Sequence, residues 1–285
     1  MRRQRLINVK LTAAIHKLFP ELYEALRSVK FFYLCRKRFW KHQQYVKSFL
    51  YKDGDICVQT GPFMGLKYYN KTVWGPIVPK WLGSYESQLI PVIEKIIKSR
   101  PSRIIDIGAA EGYYAIGLAK LLKQCEVAAF DIDPIARIRQ KQLASINNTR
   151  NLNIYGLCSP EKLNAFAGKD SVVICDIEGG ELDLIDPQRA PALFHTRILI
   201  ECHRAGSLAP EEVATKISQR FISTHRAERI YESDCNWEEW RRKLPKLRVL
   251  TSEEFRLSFQ EYREIKQVWL WLEPHSSEKT SNASV

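Results

Sequence analysis

Ile104-Ile105-Asp106-Ile107-Gly108-Ala109-Ala110-Glu111-Gly112 runs an apolar stretch into a carboxylate and then into a loop of small residues. Ile104-Ile105-Asp106 reads as a strand. Gly108 permits the sharp turn after it, because a residue without Cβ enters positive φ at no steric cost. Ala110 keeps the loop slim. Gly112 opens the next helix and allows close helix–strand packing. Exposed N–H groups at such a helix start suit a carboxylate or a phosphate. Strand, glycine loop and helix in this order build a site for a nucleotide-like ligand at the carboxyl ends of a parallel sheet. Two phosphate-binding versions are excluded. Ala110 stands where the dinucleotide fingerprint needs its second glycine, and no Gly-Lys-Ser/Thr follows as a Walker loop requires.

The flanking sequence alternates strand and helix. Helical spacing over 112–123 puts Tyr114, Leu118 and Leu121 in register. Further strands are predicted at Glu126–Phe130, Asn153–Gly156, Val172–Asp176, Arg197–Glu201, Arg229–Tyr231 and Gln267–Leu272. Helices are predicted over 134–147 and over 210–221, the second opened by Pro210 with Glu211 and Glu212 in its first turn. Upstream, a helix from Tyr85 to Ser99 carries Leu89, Ile93 and Ile96 or Ile97 on one face, with Pro91 early enough to be tolerated or to kink it. The alternation predicts an α/β fold, a doubly wound and mostly parallel seven-stranded sheet with helices on both faces. Before it, residues 55–69 read as two short strands around Gly61-Pro62, and 74–84 as a Pro/Gly-rich loop. The chain therefore divides into a basic helical extension over 1–50, a β/loop leader over 51–84 packing near the site, a ligand-binding domain over 85–274 and a disordered polar tail over 275–285.

Asp131 follows Asp106 by 25 residues at the end of the second strand. A carboxylate there can accept both hydroxyls of a ribose. The spacing around Gly108 matches the acidic-x-Gly-x-Gly-x-Gly loop of methyltransferases that use S-adenosylmethionine (SAM), with Ala110 in the middle glycine position. Val172-Val173-Ile174-Cys175-Asp176-Ile177-Glu178-Gly179-Gly180-Glu181 is a buried strand delivering three carboxylates into a loop. Ile198-Leu199-Ile200-Glu201-Cys202-His203 delivers a carboxylate and an imidazole from the neighbouring strand.

With these segments in view, residues 104–203 resemble the FkbM-type SAM-dependent methyltransferases. The shared features are IIDIGAAEGYYAIGLA, FDIDP, CDIEGGELDLID and LIECH. The family more often has Phe-Glu-Pro where Phe130-Asp131-Ile132 stands, and Ala where Gly180 stands. Both departures keep the carboxylates. The resemblance implies a class I, Rossmann-like fold and O-methylation of sugars or other hydroxylated metabolites. It also implies roles for residues. Asp106, Gly108, Ala109, Gly112 and Tyr113 would surround the methionine part of SAM. Asp131 would hold the ribose, with Ile132 and Cys158 flanking the adenine. For Cys158 a small core thiol is the competing reading.

Methyl transfer to a hydroxyl benefits from a general base. Asp176, Glu178, Glu201 and His203 are the candidates, with a satisfied structural imidazole as the alternative for His203. Glu181 reads as a first-turn helix carboxylate. The same carboxylates suit Mg²⁺, but the spacing demands no metal and none is assigned. Trp81, Tyr85 and Glu86 read as packing and capping residues, with closure over the ligand as the alternative.

Composition bounds the rest. The chain has 285 residues and a net charge of +12, of which residues 1–50 hold twelve Lys/Arg against two Glu. Ile7, Leu11, Ile15 and Leu18, then Leu22, Leu26, Val29 and Tyr33, read as two amphipathic helices. Packing is preferred for them, with peripheral contact to an anionic membrane as the alternative. Seven cysteines show no CxxC pair, which points to reduced thiols in a cytoplasmic protein. Neither a signal peptide nor a membrane span is expected. A nucleic-acid methyltransferase is the second reading. Against it, Asp176-Ile177-Glu178-Gly179 replaces the Asn/Asp-Pro-Pro-aromatic motif of exocyclic amine methylation, and a row of carboxylates repels a phosphate backbone. A non-catalytic SAM-binding or interaction protein is the third, since fold alone proves no activity. The methyl acceptor expected is a small molecule or glycan.

Overall fold

The computed structural model describes residues 40–51, 54–70, 72–73, 75–232, 236–261 and 267–275. Two compact units divide the chain, Met1–Lys52 and Asp53–Val285. In the first, helix α1 covers 40–50. Its Tyr45 and Phe49, one turn apart, meet edge to face with ring centroids 4.8 Å apart. The amphipathic helices expected over 7–33 lie outside the described residues, as does the expected disordered tail beyond His275. No helix among the described residues is long and apolar enough to cross a membrane.

The second unit is built around β1 (Arg103–Ile107), β2 (Glu126–Phe130), β3 (Leu152–Tyr155), β4 (Ser171–Cys175), β5 (Arg197–Cys202), β6 (His225–Tyr231) and β7 (Val268–Pro274). Their order across the sheet is β3-β2-β1-β4-β5-β7-β6. Pairings among β1 to β5 are parallel, and β7 runs antiparallel between β5 and β6. The fold is thus the doubly wound α/β architecture that the alternation predicts. The helices are α2 (Ile77–Leu82), α3 (Ile90–Ser99), α4 (Tyr113–Leu121), α5 (Pro134–Ile146), α6 (Pro160–Phe166), α7 (Glu181–Leu184), α8 (Pro210–Arg220), α9 (Trp237–Lys243) and α10 (Ser252–Leu257).

Side chains alternate across the sheet. Ile105, Ile107, Val173, Cys175, Ile198 and Ile200 join one cluster with Leu163 of α6 and Val213 and Ile217 of α8. Their strand neighbours Ile104, Val172, Ile174 and Leu199, buried as well, face the other side. Burial on both faces is why these strands read as continuous apolar runs.

Several boundaries depart from the sequence expectation. The loop expected at 74–84 contains α2, all of whose residues are buried. Pro76 stands at its N-cap, Pro79 falls in its first turn and Gly83 closes it in the left-handed region at φ 79°. The prolines and the glycine are therefore helix ends, not loop residues. The strands expected around Gly61-Pro62 reduce to a single antiparallel bridge, Cys57 with Lys67. The helix expected from Tyr85 begins at Ile90, where Pro91 is harmless in the first turn. Leu121, placed on the apolar face of α4, is 45% exposed, and Ala115, Ile116 and Leu118 form the buried face.

Candidate functional site

Ile107 and Cys175 are register partners at the carboxyl ends of β1 and β4. From β1 the chain winds outward through β2 and β3, then returns to β4 on the opposite side of β1. This reversal opens a crevice at the strand ends, where ligands of doubly wound sheets bind. A cleft of about 720 Å³ lies there, walled by the loops after β1, β2, β3, β4 and β5.

The first wall follows from Gly108. Its φ is 80°, and a Cβ on it would sit 1.6 Å from the carbonyl oxygen of Asp176. Only glycine lets the loops after β1 and β4 meet. Gly112, at φ 97°, caps α4, and a Cβ there would strike Ile116 Cδ1 at 1.9 Å. Its role is packing, and it lines neither the cleft nor the recess beside it. Ala110 holds φ 46°, the left-handed conformation its glycine-like position demands. Its N–H donates to Asp131 Oδ2 at 2.8 Å, and Gln140 Nε2 donates to its carbonyl at 2.8 Å.

Asp131 also accepts the N–H of Asp133 on Oδ1 at 2.8 Å. One backbone donor on each oxygen fixes the carboxylate at the strand end and leaves each oxygen a second lone pair. Ile132, 76% exposed, stands with Leu157 and the buried Cys158 on the apolar wall of the cleft.

A narrower recess continues the cleft past Gly108 to Asp106, Ala109 and Tyr113. Asp106 is buried, and its Oδ2 has no hydrogen-bond partner among the described residues. Burial, reinforced by nearby Asp176, Asp131 and Glu86, pushes its pKa up to about 8. A cation beside it would relieve both the orphaned oxygen and the raised pKa.

The end of β5, with Glu201, and the loops after β4 and β5 bring the four predicted catalytic residues together. His203 Nε2 lies 3.4 Å from Glu178 Oε2, 3.5 Å from Glu201 Oε1 and 3.7 Å from Asp176 Oδ1. Its Nδ1 is 2.8 Å from Glu181 Oε1. Burial alone would lower the His203 pKa, but Glu181, Asp176 and Glu178 together hold it above its ordinary value. Glu178 sits at φ 57°, a strained conformation of the kind found where side chains are aimed at ligands. The ligating atoms of Asp176, Glu178 and His203 lie within 4.8 Å of one another, a spacing that a hard cation can share.

The sequence reading missed a buried polar group beneath the cleft. Glu111, inside the glycine loop, is fully buried and ion-paired with Lys80 of α2. Tyr68 Oη donates to the same carboxylate at 2.7 Å, and the N–H of Val73 donates to it at 3.2 Å. Lys80 also lies 4.7 Å from the ring centre of Tyr85, which faces the cleft. Once 74–84 is taken for a loop, nothing in the sequence connects Lys80 to Glu111. Glu261, also in the cleft wall, accepts the N–H of Glu86 at 2.8 Å. Trp81 does not close over the cleft; it is fully buried and donates Nε1 to the carbonyl of Tyr69 at 2.7 Å.

No protein-family model matches the chain, and no curated protein matches it. Among solved structures it is similar to an rRNA methylase from Streptococcus thermophilus, at 14% identity over 66% of this chain and 96% of that one, with a TM-score of 0.43. It is similar to the O-methyltransferase TomG of tomaymycin synthesis from Streptomyces achromogenes, solved with SAM, at 10% identity over 64% and 79% and a TM-score of 0.43. It is also similar to TYW2 from M. jannaschii in complex with AdoMet, at 14% identity over 66% and 75% and a TM-score of 0.40. The fold assignment rests on the strand order itself and not on these likenesses.

Proposed function

We propose that the chain is a SAM-dependent methyltransferase acting on a hydroxyl of a sugar or another hydroxylated small molecule. The observation that carries this reading is the chemistry of the switch-point cleft. It offers a fixed carboxylate, Asp131, at the ribose position and a buried, incompletely bonded carboxylate, Asp106, in the recess beyond. SAM fits this donor set, because it presents two ribose hydroxyls, an apolar-faced base, an ammonium and a sulfonium. Phosphate-bearing nucleotides do not fit, since Asp131, Asp133, Asp176, Glu178, Glu201 and Glu261 line the cleft and would repel them.

SAM, when bound, supplies an electrophilic methyl group, and the protein supplies alignment and proton removal. Asp131 accepts the ribose hydroxyls. Ile132 and Leu157 flank the adenine, with Cys158 at its edge. Asp106 takes the ammonium, and Gly108 and Ala109 keep the passage narrow. At the other end of the cleft, His203 Nε2 accepts the proton of the acceptor hydroxyl. Asp176, Glu178 and Glu201 stabilise the imidazolium that forms. The carboxylate lining also disfavours the nucleic-acid reading, because a phosphate backbone would meet it at short range.

Transfer of tritiated methyl from SAM tests this reading, with glycans, small hydroxylated metabolites and RNA offered in parallel. Label in an ether-stable product from the first two classes is expected. His203→Gln should lower that rate about 10²–10⁴-fold, the contribution of a positioned general base. Label only in RNA would overturn the acceptor assignment.

A further inference from the structure

We propose that Glu181 is the positioning residue of the catalytic cluster, holding His203 with its proton on Nδ1 and a bare Nε2 facing the cleft. The inference rests on His203 being the base. It deepens that reading by naming what aims the base.

Glu181 is the first residue of α7 and is fully buried. Its Oε1 stands 2.8 Å from His203 Nδ1. The same oxygen accepts the N–H of Gly179 at 3.1 Å and of Ile177 at 3.4 Å. Burial alone would raise its pKa, yet His203 and the backbone donors hold the carboxyl below its ordinary value. An ionised carboxylate has no hydrogen to give. Nδ1 must therefore be the donor, and above the raised pKa of the ring, where its second proton is lost, the lone pair lies on Nε2. Among the described residues, none lies within direct hydrogen-bond length of that atom. The carboxylates of Glu178, Glu201 and Asp176 surround it at 3.4–3.7 Å, beyond the usual hydrogen-bond length of about 2.7–3.2 Å. The lone pair is thus open to an incoming hydroxyl, while the charges that would stabilise the protonated ring are already in place. This is the division of labour of a base, its orienting carboxylate and a substrate proton.

Glu181 stands in the first turn of α7 as expected, but α7 has only four residues, so its dipole is small and does not by itself account for the burial of the carboxylate. A carboxylate serving it would also be better solvated than buried.

The proposal is tested by nitrogen NMR of the full-length protein labelled at histidine, recorded where the rings are neutral. Loss of one signal in His203→Gln assigns the residue. In the wild type, a protonated Nδ1 and an unprotonated Nε2 are expected. Glu181→Leu removes the acceptor, so the Nε2–H form should become the major one while SAM affinity is retained. In Glu181→Gln the amide oxygen can stay where Oε1 accepts from Ile177, Gly179 and the ring, so Nδ1 should remain protonated, which serves if the Leu variant does not fold. An Nε2–H tautomer in the wild type or in Glu181→Gln overturns the proposal, and so does an Nδ1–H tautomer that survives in Glu181→Leu. Loss of SAM binding in Glu181→Leu without a tautomer change would make Glu181 a brace for the loop after β4 and also overturn it. Failure of the wild type to bind SAM would sink the methyltransferase reading and leave the tautomer result standing.

Discussion

Asp106 shows how much chemistry a single buried oxygen can carry. Burial and the neighbouring carboxylates push its pKa up to about 8. A cationic ligand favours its ionised form and so lowers that value in the complex. Binding must then release a proton at pH values below about 8, and affinity must rise as the pH rises toward that value. Calorimetric titration with SAM at about pH 6 and pH 7, where the ligand's α-ammonium keeps its charge, in buffers of different ionisation heat, checks this linkage. Tighter binding at the higher pH and proton release at both are expected. Asp106→Asn should remove both effects. The Asp106 and Asp131 positions were legible in the sequence because strand-end carboxylates follow from strand spacing. The strain at Ala110, a non-glycine at φ 46°, was legible only as a missing glycine. Its compensation by Asp131 and Gln140 was not, because those partners are remote in sequence.

At the scale of elements, β1, β2, β4 and β5 are legible to within a residue or two because their apolar runs are buried on both faces, whereas β6, mostly exposed, is legible only at its last three residues. Two kinds of element escaped. Short helices such as α6, α7, α9 and α10 offer too few turns for a periodic pattern to form. α2 was hidden by the prolines and glycine that begin and end it. With α2 went Lys80, and with Lys80 the ion pair to Glu111 that ties α2 to the ligand loop. Both groups are nearly inaccessible, at 3% and 0% side-chain exposure, so removing one partner strands a charge. Lys80→Met should therefore cost about 3–5 kcal/mol of stability in urea unfolding at neutral pH. Adding Glu111→Gln should recover part of that loss. The native pair also carries a pH signature. Burial alone would raise the Glu111 pKa, but Lys80 and Tyr68 hold it below the usual carboxylate range. Its contribution is full above the ordinary carboxylate pKa of about 4.3 and is lost as the pH falls through the lower, folded value. If the double variant is no more stable than Lys80→Met, the ion pair is not what anchors α2.

For the whole molecule, the order β3-β2-β1-β4-β5-β7-β6 decides where a ligand can sit. The parallel half was predictable from the strand–helix alternation. The insertion of β7 between β5 and β6 was not, because two consecutive strands can pair in either order without changing the local pattern. The four catalytic candidates come from the ends of only two adjacent strands, which explains why the sequence could group side chains that the fold brings within reach of one another. Their orienting partner Glu181 and the cleft-wall residue Glu261 needed the fold. The central claim is that this crevice is a SAM site. Calorimetric titration of the full-length protein with SAM and S-adenosylhomocysteine, wild type beside Asp131→Ala, addresses it most directly. Micromolar binding by the wild type, weakened about 100-fold or more in a folded Asp131→Ala, is predicted from the loss of hydrogen bonds to a charged group. No binding by folded wild type, or equal binding by the variant, would contradict it.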